Sequence, residues 1–401
     1  MRGAIGADAC VGHYNWVMIY LDNNATTQIH PEVLAAMQPW LGEKYGNPSS
    51  THLLGQESRQ AVEQARYEVA ALLKCHISEV IFTSGGTEAD NAAILGTLAA
   101  RPDKKTIITS TVEHSAVREP LQALAASGYH IIEIPVDERG HLNTVALAEH
   151  LANPDVALLS LMWANNETGV IFDIQAIGTL AASHRVPFHT DAVQAVGKIP
   201  IAFASLPVDM LSVSAHKFHG PKGVGALLVK RRTPWQPLLR GGPQERDRRG
   251  GTENVPAIVG MGAAARRAAA SLAAPEYTVQ IATLRDRLEQ GILSQVPDTS
   301  VNGDRLERVA NTTNISFTGL EAQAILILLS QHEICVSAGA ACSSGSLEPS
   351  HVLRAMRIPE PQAHGAVRFS LSTFTTPAEV DQVINILPPL ISRLRSVLPT
   401  S

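Results

Sequence analysis

From about residue 57 to residue 270, short β-branched runs alternate with stretches of helical period. Between Glu57 and Lys74, apolar or small residues at Val62, Ala65, Val69, Leu72 and Leu73 fall close to one helical face. Val80–Thr83 then predicts a strand, Ala89–Ala100 a helix and Thr106–Thr109 a strand. Tyr129–Val136, Val156–Met162, Val186–His189, Asp209–Ser214 and Gly223–Lys230 read as further strands. Such alternation predicts an α/β domain on a largely parallel, buried sheet. A short Gly/Pro-rich segment joins the last two strands and allows an antiparallel hairpin there.

Beyond Pro234 the texture changes. Arg240–Thr252 is a Gly/Arg-rich loop, followed by an Ala-rich helix and by a helix with Ile281, Leu284, Leu288 and Ile292 on one face. Strand-like Asn314–Phe317 and helix-like Ala322–Leu329 suggest a second, smaller α+β unit. Thr376-Pro377-Ala378-Glu379 has N-cap, N1 and N3 in capping-box order. The helix it opens is expected to stop or kink at Pro388-Pro389. Residues 1–18 carry no sustained apolar block and do not read as a signal peptide. They are expected to form a tail outside the core.

Composition narrows the classes. The 401 residues are 45% hydrophobic and 17% charged, enough to bury a sizeable core. A net charge of −5 argues against a nucleic-acid surface. No stretch approaches the ~20 apolar residues of a membrane span. The four cysteines, Cys10, Cys75, Cys335 and Cys342, contain no CxxC pair. A disulfide framework and a zinc ribbon are both disfavoured, and free thiols in a cytoplasmic protein are expected. Apolar residues lie near Cys75 (Leu72, Leu73, Ile77) and flank Cys335, which suits packing; Cys342 lies in a small, glycine-rich stretch.

Several strand-like runs end in polar clusters: Ser84-Gly85-Gly86-Thr87, Glu113-His114, Asn165-Asn166-Glu167, Asp191 with Gln194, and Ser214 with His216 and Lys217. Taken singly, each has an ordinary explanation as a cap, a turn or a solvated side chain. His216 and His219 around a lysine make a weak metal site. If the strands are parallel neighbours, however, all five clusters face one crevice. A helix N-terminus with hydroxyls is an anion seat. Together with an aspartate and a lysine it supplies what pyridoxal 5'-phosphate needs: donors for the phosphate, a carboxylate for the pyridine nitrogen and an amine for the aldehyde.

These residues stand in motifs that resemble the pyridoxal-phosphate-dependent cysteine desulfurases of the NifS/IscS type. They are YLDNNATT (20–27), YGNPSSTH (45–52), IFTSGGTEADN (81–91), VEHSAV (112–117), MWANNETG (162–169), FHTDAVQAVGK (188–198), SAHKFHGPKGVGAL (214–227), GGTEN (250–254), SAGAACSSGSLEPSHVLRAM (337–356) and VRFSLSTFTT (367–376). The likeness spans about residues 19–398 and is nearest the nitrogen-fixation branch.

The resemblance implies fold type I, an α/β protein. A large domain (36–271) carries a mostly parallel mixed sheet flanked by helices, and a smaller α+β domain is formed by 19–35 and 272–401. It also implies a homodimer with the active site near the interface. By motif, Lys217 matches the lysine that joins the cofactor, Asp191 the pyridinium partner, Gln194 the donor to the ring hydroxyl and His114 the stacked imidazole. Gly86, Thr87, Ser214 and His216 match the phosphate seat, and Thr252 the threonine that arrives from the other subunit. Asn166 lies beside the cofactor, Arg368 matches the clamp on the substrate carboxylate, and Cys342 the nucleophile that takes sulfur.

The implied reaction turns L-cysteine into L-alanine and leaves a persulfide on Cys342, for a sulfur acceptor such as an iron–sulfur scaffold. No residue is read as a catalytic metal ligand, although Cys342 could contact an iron–sulfur cluster transiently. Selenocysteine lyase or another C–S lyase, a non-catalytic sulfur carrier and a nicotinamide dehydrogenase are the rivals; the last lacks a GxGxxG after the first strand. The chain departs from the pattern at Pro243 and Asp247, where relatives commonly carry Gly or His and Gly, and at Ala338 and Ala340, where hydroxyls are common.

Overall fold

The computed structural model describes residues 18–338 and 348–397. In chain order its strands are β1 (Ile19–Tyr20), β2 (Val80–Thr83), β3 (Thr106–Ser110), β4 (His130–Ile134), β5 (Val156–Met162), β6 (Phe188–Asp191), β7 (Met210–Ser214), β8 (Gly225–Val229), β9 (Thr299–Val301), β10 (Thr312–Phe317), β11 (Ile334–Cys335) and β12 (Ala366–Ser370). Seven form one sheet in the order β2-β8-β7-β6-β5-β3-β4. Every pairing is parallel except those of β8, which runs against both β7 and β2. The hairpin allowed by the Gly/Pro-rich segment is therefore present. Because β8 reverses between them, β2 and β7 point the same way. The C-terminal ends of β2, β3, β5, β6 and β7 share one sheet edge.

The strands of this sheet that carry the site are buried along their whole length, as expected of runs covered by helices on both faces. Sequence and structure agree on β2 and β5 residue for residue, while β6 starts two residues later than expected, at Phe188. The helix foreseen from Glu57 begins at Leu53, where the His52 ring accepts from Gly55 N–H. Val62, Ala65, Val69, Leu72 and Leu73 are all buried in it. The Ala-rich helix Val255–Ala273 packs directly on it. At Gly262 a Cβ would stand 2.6 Å from Ala65 Cα, so the two backbones approach closely only without that side chain.

A second core lies around a three-stranded sheet, β12-β10-β9, and the pair β1-β11. Helices Pro275–Gln295, Ala322–Gln331 and Pro377–Val397 cover it. The capping box is formed: Thr376 N–H donates to the Glu379 carboxylate at 2.6 Å and Glu379 N–H to Thr376 Oγ1 at 3.3 Å. The expected stop at Pro388-Pro389 does not occur, and the helix continues to Val397. Val380, Val383, Leu387 and Ile391 are buried on one stripe against the 275–295 helix. Burying four such side chains at roughly 1.5–3 kcal/mol each matches or exceeds the ~3 kcal/mol cost of each of the two interior prolines.

Candidate active site

The five polar clusters do meet. One cleft at the sheet edge is lined by Gly86 and Thr87 after β2, His114 after β3, Asn166 after β5, Asp191 and Gln194 at the end of β6, and Ser214, His216 and Lys217 after β7. Arg368 on β12 and Asn24 and Ala25 close the opposite wall. The second sheet thus contributes an arginine that lies on that wall beside Asn166, 202 residues away in sequence.

The anion seat is built from backbone. Helix Gly86–Ala100 starts at Gly85 with no side-chain cap, so its first N–H groups face the cleft unclaimed by a cap. A Cβ on Gly86 would stand 2.8 Å from Val193 Cγ2, so the helix can sit this close to β6 only with glycine there. Thr87, Ser214 and His216 surround that seat. Burial pushes the His216 imidazole down to about 4, with Lys217 and Lys222 acting in the same direction, and His216 Nδ1 lies 3.1 Å from Thr26 Oγ1. A neutral His216 can thus serve as a hydrogen-bond partner to a phosphate without adding charge.

Asp191 accepts from Val193 N–H at 2.9 Å and is otherwise enclosed. Burial raises its carboxyl, against the pull of His114 and Lys217. Burial also lowers the His114 imidazole, as does Lys217, while Asp191 opposes the change. His114 Nδ1 accepts from Ala116 N–H at 3.1 Å, which leaves the imidazole proton on Nε2. A cation beside Asp191 would favour its ionised form, and a protonated pyridine nitrogen is such a cation. Donor seat, enclosed carboxyl and lysine therefore fit pyridoxal phosphate.

Lys217 Nζ donates to the carbonyls of Asn24 (2.6 Å) and Ala25 (2.8 Å). Arg368 donates from Nη1 to Asn166 O at 2.9 Å and from Nη2 to Asp22 Oδ1 at 2.6 Å. Nε is buried without a partner among the described residues, which leaves one N–H on each terminal nitrogen for a substrate carboxylate or another acceptor. Ser337 flanks Arg368 through a pair of main-chain bonds, 3.2 and 2.7 Å. Ser350 Oγ donates to Glu167 Oε2 at 2.5 Å, and His351 Nε2 lies 3.0 Å from Glu113 O.

Some expectations fall elsewhere. Thr252 is exposed and does not line the cleft of its own chain. Cys342, Ala340 and Cys10 lie outside the described residues. Cys75 and Cys335 are half-buried rather than fully packed. Burial pushes the Cys75 thiol up to about 12 and also raises that of Cys335, whose Sγ is 3.3 Å from Met18 Sδ. Asp22, Asn24, Asp90, Lys198 and His351 reach the site or its wall without having been singled out from sequence. Asp22 and Asn24 do lie in the quoted segment 20–27, and Lys198 closes the segment 188–198.

The aminotransferase class-V family model matches residues 19–383, and the chain belongs to that family. Members of the family of this kind are pyridoxal-phosphate enzymes. Within it the chain belongs with the cysteine desulfurases. Cysteine desulfurase 2 of Trichormus variabilis is 52% identical over 384 residues, 96% of each chain. Cysteine desulfurase NifS of Azotobacter vinelandii is 50% identical over 382 residues, 95% of this chain and 94% of that one. Among solved structures, a NifS-like protein superposes with a TM-score of 0.87 at 36% identity, covering 94% of this chain and all of the other. SspA in complex with cysteine gives 0.79 at 32% identity, covering 89% of this chain and all of SspA.

Proposed function

We propose that the cleft takes sulfur from L-cysteine, leaving L-alanine and a persulfide on Cys342, and that the persulfide supplies iron–sulfur cluster assembly, with nitrogenase as one destination. The observation that carries this reading is the meeting of His114, Asp191, Lys217 and Arg368 in one cleft. The likeness to the relative named NifS supports the destination. When bound, pyridoxal phosphate supplies an aldehyde for an amine and a ring that accepts electron density.

The chain's own residues do the rest. Gly86, Thr87, Ser214 and His216 would hold the phosphate, Asp191 the ring nitrogen and Gln194 the ring hydroxyl. Arg368 holds the substrate carboxylate. Lys217 Nζ, once released, takes the Cα proton, and His114 holds a proton at Nε2 for exchange with the substrate. The Cys342 thiolate attacks the substrate sulfur: an S–S bond forms, the C–S bond breaks, and alanine departs with the balancing protons. In this reading Thr252 completes the phosphate seat of a second copy, making the working form a homodimer, and the enzyme is cytoplasmic.

The test is product analysis. The protein loaded with pyridoxal phosphate and given L-cysteine should release alanine and gain one sulfur on Cys342, seen by mass spectrometry. Pyruvate as the product, or a Cys342→Ser variant with unchanged sulfur release, would overturn the assignment.

A further inference from the structure

Gln194 lines the cleft, and its amide is held from behind. Its Nε2 donates to Asn24 O at 3.0 Å, and its Oε1 accepts from Lys198 Nζ. Lys198 Nζ also donates to Asn24 Oδ1 at 2.9 Å. These partners decide which end of the amide is which. A main-chain carbonyl only accepts, so Asn24 O takes an amide N–H and Gln194 Oε1 is left to accept from Lys198. Turning the Gln194 amide over would set oxygen against oxygen at Asn24 and take the acceptor away from the Lys198 amine. Asn24 cannot turn either: its Nδ2 donates to Asn166 O (3.1 Å) and Thr312 Oγ1 (2.8 Å), and its Oδ1 also accepts from Asn311 Nδ2 (3.1 Å). One of the two Gln194 amide hydrogens is spent on Asn24 O, which leaves the other for the cleft.

Lys198 is an unusual residue to find there. Its amine is part-buried, and both acceptors named above are neutral amides. Burial disfavours its charge, and Lys217 and Arg368 oppose it further. A part-buried amine in cationic company lowers stability rather than raising it. Its hydrogen bonds serve the orientation of neighbours.

We propose that Lys198 is a positioning residue that locks the Gln194 amide, so that a donor and never an acceptor meets the ring oxygen of a cofactor in this cleft. The proposal rests on the cleft being a pyridoxal-phosphate site. Without Lys198 the Gln194 Oε1 loses its donor, and only Asn24 O still opposes a turn that would bring a carbonyl against an oxygen carrying negative charge.

The experiment compares Lys198→Met, Lys198→Arg, Gln194→Ala and the Lys198→Met/Gln194→Ala pair with the wild-type protein. Two quantities are read on reconstitution with pyridoxal phosphate: the cofactor dissociation constant, and the pH midpoint of its visible absorption band. Lys198→Met and Gln194→Ala should each weaken binding about tenfold, as loss of one hydrogen bond to a charged group does. Both should displace the midpoint in the same direction. The pair should be no worse than Gln194→Ala alone, because one residue acts through the other. Lys198→Arg, which still only donates, should stay near the wild type.

Multiplying losses in the pair, or a Lys198→Met protein with both quantities unchanged, would overturn the proposal. If Lys198→Met does not fold, Lys198→Arg decides: a midpoint like that of the wild type supports the lock, and one like that of Gln194→Ala removes it. A wild-type protein with no visible band would overturn the functional reading and the proposal together. A normal wild-type band with an indifferent Lys198→Met overturns the proposal alone.

Discussion

At the scale of single residues, the site is a set of ionisable groups whose charges are suppressed by burial. His114 is held neutral, Asp191 is raised and Glu113 is pushed up to about 8 by burial. Lys217→Ala is expected to abolish both turnover and the visible band of the bound cofactor, measured on one preparation; full turnover would refute the assignment of Lys217. Glu113 gives a pH prediction. Its carboxyl accepts from Ser110 Oγ (2.5 Å) and Met162 N–H (3.0 Å), and its pKa stands above the ordinary value of 4.5. The folded chain therefore binds a proton that the unfolded chain releases from about pH 4.5 upward. The stability from neutral Glu113 is complete below the unfolded pKa and is lost as pH rises toward 8. Glu113→Gln, which does not titrate, should flatten the fall in melting temperature between pH 5 and 8. An unchanged slope would assign the fall to other groups.

The polar residues nearest the strand ends were legible in the sequence because a buried apolar run cut short by Asp191 or Lys217 is conspicuous. Their assembly in one cleft needed only the rule that parallel strands present the same ends. Asn24 and Lys198 escaped for a physical reason. An asparagine in a loop and a lysine after a turn look solvated, and what makes them part of the wall is a contact across 174 residues. Asp22 and Arg368 pair across 346 residues, equally beyond local pattern.

At the scale of elements, the Arg-rich loop shows what pattern reading leaves out. Glu245, Arg246 and Asp247 have φ of 49°, 60° and 62°, three successive left-handed residues without a glycine. Such conformations cost roughly 1–2 kcal/mol per residue, less for Asp. Glu245 anchors the turn: it grips the Arg66 guanidinium at 2.6 and 2.8 Å and accepts from Phe82 N–H at 2.9 Å, all buried. Glu245→Ala would leave the buried Arg66 guanidinium with Glu63 and Val80 O alone and take the acceptor from Phe82 N–H, and should cost about 3 kcal/mol in denaturant unfolding. Asp247→Gly relieves one left-handed residue and should stabilise by up to about 1 kcal/mol, net of the glycine's greater freedom when unfolded; a lower stability would mean that Asp247 makes a compensating contact. The long C-terminal helix teaches the converse. Its two prolines signal a break, yet the apolar stripe from Val380 to Ile391 prevails because it completes the second core. Helices Ser115–Ala126, Thr144–Leu151 and Ile174–Ser183 leave a weak signal in the sequence, because they are short and the first has Pro120 inside it.

At the scale of the whole molecule, Thr252 is exposed and follows by three residues Arg249, which pairs with Glu88 at the start of the 86–100 helix. A homodimer that shares its sites predicts complementation. Protomers bearing Lys217→Ala and protomers bearing Thr252→Glu should each be inactive, the second because its carboxylate meets the phosphate. Mixed and allowed to exchange, they should regain activity, since each heterodimer contains one site with an intact Lys217 and an intact Thr252. Sedimentation would confirm the dimer, and no recovery after proven exchange would place Thr252 outside the site.

The main-chain carbonyls of Asn24 and Ala25 hold Lys217, and Asn24 O also holds Gln194. Thermodynamic reciprocity then applies. Any event that draws Lys217 away from those carbonyls must loosen residues 24 and 25, and any pull on residues 18–27 must change how readily Lys217 leaves. Hydrogen exchange in this segment should therefore report cofactor loading. The N-terminal segment becomes a handle by which a fusion, a protease or a bound protein can reach the chemistry without entering the cleft.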